Sequence, residues 1–160
     1  VRPGAPRRAA AALAVLLAAG AAAGETPQAR LLYLLHCQGC HLADGSGRAG
    51  EVPSLAGSLA RFAAVPGGRA YLVQVPGSAF APIGDAELAA VLNWMLAVFA
   101  PAGASVAPYD AAEVARYRAT PLVDVAGARA ELLRRIAARE AQRGSPPRSH
   151  SQGSRPVRAQ

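Results

Sequence analysis

Lysine is absent: all 17 basic residues are arginine. Alanine accounts for 40 of the 160 residues, so this reads as a biased overall composition. An arginine-rich chain of that kind is no argument for a nucleic-acid partner. Cysteine is nearly absent. Cys37 and Cys40 lie three apart, too close for a framework of loop-closing disulfides. Only eight residues are aromatic. Alanine buries little area per residue, so an apolar content of 52% overstates the core. A core this small calls for a staple or a bound group. Methionine occurs once, as Met95, and histidine three times, as His36, His41 and His150. Long hydrophobic runs are missing. The uncharged stretch from Ala9 to Gly24 is shorter than the roughly 20 residues that span a bilayer.

What is present divides the chain into four parts. Residues 1–24 read as a secretory signal: Arg2, Arg7 and Arg8 precede an apolar stretch, and Ala21, Ala22 and Ala23 give a small-residue cleavage pattern. Cleavage there would leave no stable membrane span. Residues 25–100 form the main domain, with four arginines against five acids. Residues 101–143 are a linker and a helical extension. Pro101, Gly103 and Pro108 punctuate the linker at 101–109. Asp110 is placed to cap one helix, and Asp124 a second running to about Arg143. In the second, Leu132, Leu133, Ile136 and Ala137 are expected on one side. Residues 144–160 are a basic tail with almost nothing to bury, expected to be disordered. The net charge of +7 therefore resides in the signal and the C-terminal part.

The decisive stretch is Cys37-Gln38-Gly39-Cys40-His41, the C-x-x-C-H pattern of covalent c-type haem attachment. Two thiols three residues apart on a tight turn can each add to one vinyl group of the same porphyrin. The histidine that follows can donate a ring nitrogen to its iron. A thioredoxin-like pair would follow a strand in an alternating strand–helix pattern, but a helical run, Leu31 to Leu35, precedes this one. A four-donor zinc site needs a second ligand pair, and only His36 and the tail residue His150 remain. The predicted cofactor is thus one covalent haem c.

With these residues in place, positions 29–99 resemble a class I cytochrome c domain. Ala29 to His41 resembles that family's first helix and attachment site. His41-Leu42-Ala43-Asp44-Gly45-Ser46-Gly47 resembles the run after the iron-binding histidine, and Val52-Pro53-Ser54-Leu55 its Pro-x-Leu element. Gly84 to Leu96 resembles the last helix, with Trp94 expected to cross the first helix near Leu32 and Tyr33. The resemblance implies an all-α fold, a small cytochrome c fold around one covalent haem. It implies that Pro53 accepts a hydrogen bond from His41 and that Leu55 packs on the haem. Independently, Leu88, Leu92, Met95 and Phe99 recur at helical spacing, and Glu87 stands three residues after Gly84 as a helix-start signal.

The family's second iron ligand is a methionine in the loop before the last helix, and here the pattern fails. The loop from Val73 to Pro82 has none, and Val75-Pro76 stands about where Met-Pro is expected. The iron is left five-coordinate or water-bound, or Met95 is recruited to it from within the last helix, or a histidine reaches it. His36 is expected to face away, and Phe80 is a candidate cover for that side. The leading reading is a periplasmic one-electron carrier between a dehydrogenase-type donor and a downstream acceptor, working with redox partner proteins and not itself an enzyme. Two alternatives stand beside it: a haem c protein whose open site binds a gas or peroxide, and a haem c subunit docked on a partner oxidoreductase. Residues 110–143 serve either to hold such a partner or as a lid on the domain.

Overall fold

The computed structural model describes residues 26–144. The expected signal and most of the basic tail lie outside them. The described residues form helices joined by turns, with one isolated bridge pairing Arg48 and Val52.

Helix α1 (Pro27–His36) starts where Thr26 accepts a hydrogen bond from the Ala29 N–H at 3.2 Å and Pro27 opens the first turn. It buries Ala29 and Tyr33, one turn apart. The short α2 (Gln38–His41) follows at once. Next come α3 (Leu59–Ala63), α4 (Gly68–Gln74) and α5 (Pro76–Ala79). The longest helix of the main domain is α6 (Asp85–Phe99). Its start is fixed by the Glu87 carboxylate, which accepts from the Gly84 N–H at 2.8 Å. Its Leu88, Leu92, Met95 and Phe99 are all buried, as their spacing predicts.

Helices α1 and α6 cross through three aromatic rings. Tyr33 lies 5.0 Å from Trp94 and 5.5 Å from Phe99, and Trp94 and Phe99 are 5.6 Å apart, edge to face. Tyr33 is fully buried and donates its hydroxyl to the Leu42 carbonyl at 2.6 Å. Burial, and then the neighbouring Cys37 and Asp44, push its pKa up to about 12. An unfolded tyrosine ionises near pH 10, so between about pH 10 and 12 the folded chain retains a proton that the unfolded chain has lost. Stability should then fall by about 1.4 kcal/mol per pH unit from this group alone. Urea titrations at pH 10.5 and 11.5 measure that slope, and Tyr33→Phe should flatten it.

The extension folds back as α7 (Ala111–Arg118) and α8 (Val125–Gly144), which pack on α4 and α6 and on α3 and α4 respectively. Asp110 caps α7 by accepting from the Glu113 N–H at 2.7 Å, and Asp124 accepts from Gly127 at 2.8 Å. The segment before α7 is more than a spacer. Tyr109 is buried, and Asn93 of α6 pairs with its backbone through two bonds of 2.7 and 2.9 Å. Tyr109 and Val114 flank the cap at the spacing of a hydrophobic staple, and both belong to the core.

The expected apolar side of α8 is corrected in part. Leu132 and Ile136 are buried and Val125 and Ala128 pack beside the core, but Leu133 is 41% exposed and Ala137 is exposed. Each helical residue turns by 100°, so the contact line runs through 125, 128, 132 and 136 and leaves the residue after each of the last two outside.

Candidate haem site

The turn that carries the two thiols is wound by backbone bonds. Cys37 N–H donates to Tyr33 O at 2.9 Å, His41 N–H to Cys37 O at 3.0 Å and Leu42 N–H to Gln38 O at 2.8 Å. It ends at Leu42, the one described non-glycine residue with positive φ, at +63°. With ψ of 171°, an L residue there costs about 1–3 kcal/mol. The bond from Tyr33 to the Leu42 carbonyl holds it in place. Arg48 donates to Gly39 O at 3.2 Å and so ties the following loop back to the turn.

That loop sets the imidazole. Arg48 and Val52 exchange two backbone bonds of 2.9 and 2.8 Å, and Leu55 N–H donates to Gly45 O at 2.7 Å. Between them the Pro53 carbonyl lies 3.2 Å from His41 Nδ1. A bond from Nδ1–H to that carbonyl leaves Nε2 as the free lone pair. Burial lowers the His41 pKa below its ordinary value and so favours the neutral ring, while the hydrogen bond to Pro53 pulls the other way. Burial, with Cys40 close by, pushes the Cys37 thiol up to about 11.

Cys37, Cys40, His41, Pro53, Leu55 and Met95 all border one cavity. It has about 1110 Å³ of space free of atoms, its open mouth included. One wall is the thiol turn with Pro53 and Leu55. The α6 wall carries Leu88, Leu92 and Met95, and a third wall comes from α4 and α5 with Tyr71, Leu72, Val75, Gly77, Ser78 and Ala81. Among the described residues no three His, Cys, Asp or Glu side chains gather into a cation site. A single oriented imidazole beside two thiols in a large, mostly apolar cleft fits an iron that brings its own equatorial donors. These residues therefore fit a haem: Cys37 and Cys40 would hold its edge and His41 Nε2 its iron.

One expectation about the rest of the site is corrected. Phe80 is 69% exposed and does not border the cavity. Its neighbours Ala79 and Ala81 give their carbonyls to Arg118, which turns residue 80 outward. His36 is exposed and borders the cavity beside Cys37, on the side of the thiol turn. The sequence reading also missed two residues from the extension, Val125 and Arg129 of α8, which reach the cavity. The Arg129 guanidinium lies 5.0 Å over the Phe62 ring. Nothing local marks Arg129, because only the packing of α8 brings it there.

An all-α chain folded on a cleft with this constellation defines a single-haem c-type cytochrome. The chain is 34% identical over 130 residues to a cytochrome c-552 of Thermus thermophilus, an alignment covering 69% of this chain and 86% of that protein. It is 36% identical over 106 residues to another cytochrome c-552 of Thermus thermophilus, covering 54% of this chain and 81% of that one. No family model and no solved structure matches it. The chain belongs to the c-type cytochromes, electron carriers that bind haem c covalently. No described helix is long and apolar enough to cross a membrane.

Proposed function

We propose that the chain is exported to the periplasm and passes single electrons from a dehydrogenase-type donor to a downstream acceptor, without catalysing a reaction of its own. The observation that carries this reading is the pairing of an oriented imidazole with two thiols in a cleft that, among the described residues, no carboxylate borders. Bound haem supplies the Fe(III)/Fe(II) couple. The chain's part is to hold it: Cys37 and Cys40 by thioethers, His41 by its Nε2, Pro53 by keeping that ring in one orientation, and Leu55 by apolar contact. Met95 shares the α6 wall with Leu88 and Leu92, and we assign it to packing there. Residues 25–100 are assigned to the cytochrome domain and 101–143 to an extension that closes over it. Residues 1–24 are the export signal, and 144–160 are a tail with no part in haem binding.

The test is expression in a host that matures c-type cytochromes. The expected product has the mass of the mature chain plus one haem and a pyridine haemochrome spectrum of the thioether type. Replacing Cys37 and Cys40 together by Ser should abolish both. Bare polypeptide mass from the unaltered chain, without Soret absorbance, would sink the reading.

A further inference from the structure

Helix α8 brings to the cavity a charge that the thiols and the imidazole do not use. Among the described residues Arg129 is the one arginine that borders the cavity, and no Asp or Glu borders it. Arg129 is half-buried, with its guanidinium over the ring of Phe62, itself 2% exposed. The ion pairs of the described residues engage Arg61, Arg69, Arg118, Arg134 and Arg135, and not Arg129.

The helix is fixed where it presents this side chain. Leu132 and Ile136 bury its next two turns. Arg135 donates to Pro66 O at 2.9 Å, and Arg61 of α3 grips Glu140 through two bonds of 2.8 and 2.9 Å. Val125, one turn before Arg129, borders the cavity as well.

A haem brings two propionate carboxylates, on the porphyrin edge opposite its vinyl groups. Cys37 and Cys40 would fix the vinyl edge at α1 and α2, which pack on each other, with α1 also on α6. Helix α8 packs on α3 and α4, so Arg129 stands on a different wall from the thiols. An ionised carboxylate entering a mostly apolar cleft needs a cation or several donors to offset its lost hydration. The other polar groups bordering the cavity are the hydroxyls of Ser54, Ser58, Ser78 and Tyr71, and His36 on the thiol side. Arg129 alone joins a fixed charge to a planar fork of donors that matches a carboxylate.

We propose that Arg129 holds a haem propionate, its guanidinium donating to the carboxylate. The extension then completes the haem site as well as covering the domain. The proposal rests on the haem reading above and adds to it a cofactor-binding residue outside the main domain.

The test uses the haem-loaded full chain, read by resonance Raman at the propionate bending modes and by the reduction potential at pH 7. Arg129→Gln should shift one propionate mode. It should also favour the oxidised form about tenfold, a potential about 59 mV lower, because an unpaired negative charge near the iron favours Fe(III). Arg129→Met keeps an apolar stem on Phe62 and should match Arg129→Gln in both readouts. Arg129→Lys keeps the charge without the fork and should recover at least half of the change in potential. If Arg129 only packs on Phe62, Arg129→Gln lowers the thermal midpoint and leaves the propionate modes and the potential unmoved. That result would overturn the proposal and leave the haem reading standing. So would an Arg129→Lys variant shifted in potential as far as Arg129→Gln. Bare polypeptide from the unaltered chain would sink both readings together.

Discussion

Replacing Arg118 by Ala is expected to destabilise the protein by about 3 kcal/mol. The guanidinium is 15% exposed and reaches from the end of α7 into the loop between α5 and α6. It donates to Ala79 O at 3.2 Å, Ala81 O at 2.6 Å and Ile83 O at 2.8 Å, and to the Asp85 carboxylate at 2.9 Å. Ala79 and Ala81 are buried; truncation strands the Ala79 carbonyl at about 1–3 kcal/mol, while Ala81 O keeps its bond from the Ile83 N–H at 2.8 Å. The half-exposed Asp85 adds little. Three carbonyls around one planar fork explain why Lys should not substitute: an ammonium on a flexible stem cannot meet all three at once. Urea unfolding of Arg118→Ala and Arg118→Lys measures both losses. An Ala variant within about 1 kcal/mol of the unaltered protein would dismiss the clamp. The clamp also bears on the site, because the loop it grips follows directly on Gly77 and Ser78.

Gly47→Ala should cost about 3 kcal/mol and disturb the iron-binding ring as well. Gly47 has φ of +69°, and a Cβ there would press on the Val52 carbonyl and come within 2.8 Å of the Pro53 carbonyl. The left-handed backbone accounts for about 1 kcal/mol and the crowding for about 1–3 kcal/mol. The Pro53 carbonyl is the partner of His41 Nδ1. Pushing it aside removes the bond that makes the imidazole a stronger donor, so the reduction potential of the haem-loaded variant should rise. Gly50→Ala is the control, since Gly50 also has positive φ but its Cβ would meet nothing within 4 Å. It should lose about 1 kcal/mol and keep its potential. Equal effects at the two glycines would mean that backbone conformation alone is at work.

Much of this site is local in sequence, which is why it is legible there. The thiol pair and His41 sit within five residues, and the turn between them is wound by bonds of short range. The faces of α1 and α6 follow from helical spacing, and the caps at Asp110, Asp124 and Glu87 follow from side chains three residues from their partners. The pairing of His41 with Pro53 spans twelve residues and was reachable only through the family resemblance.

What the chain alone decided is the chemistry at the turn, because spacing of three and four residues sets geometry before any packing occurs. What only the tertiary structure decided is who else faces the cavity. The 125–144 helix delivers Val125 and Arg129 from across the chain, Arg118 settles the direction of Phe80, and Leu133 drops out of the buried stripe. Those outcomes depend on how helices lie against one another. A periodic pattern specifies an apolar face to within about a third of a turn, and docking chooses the line of contact inside it.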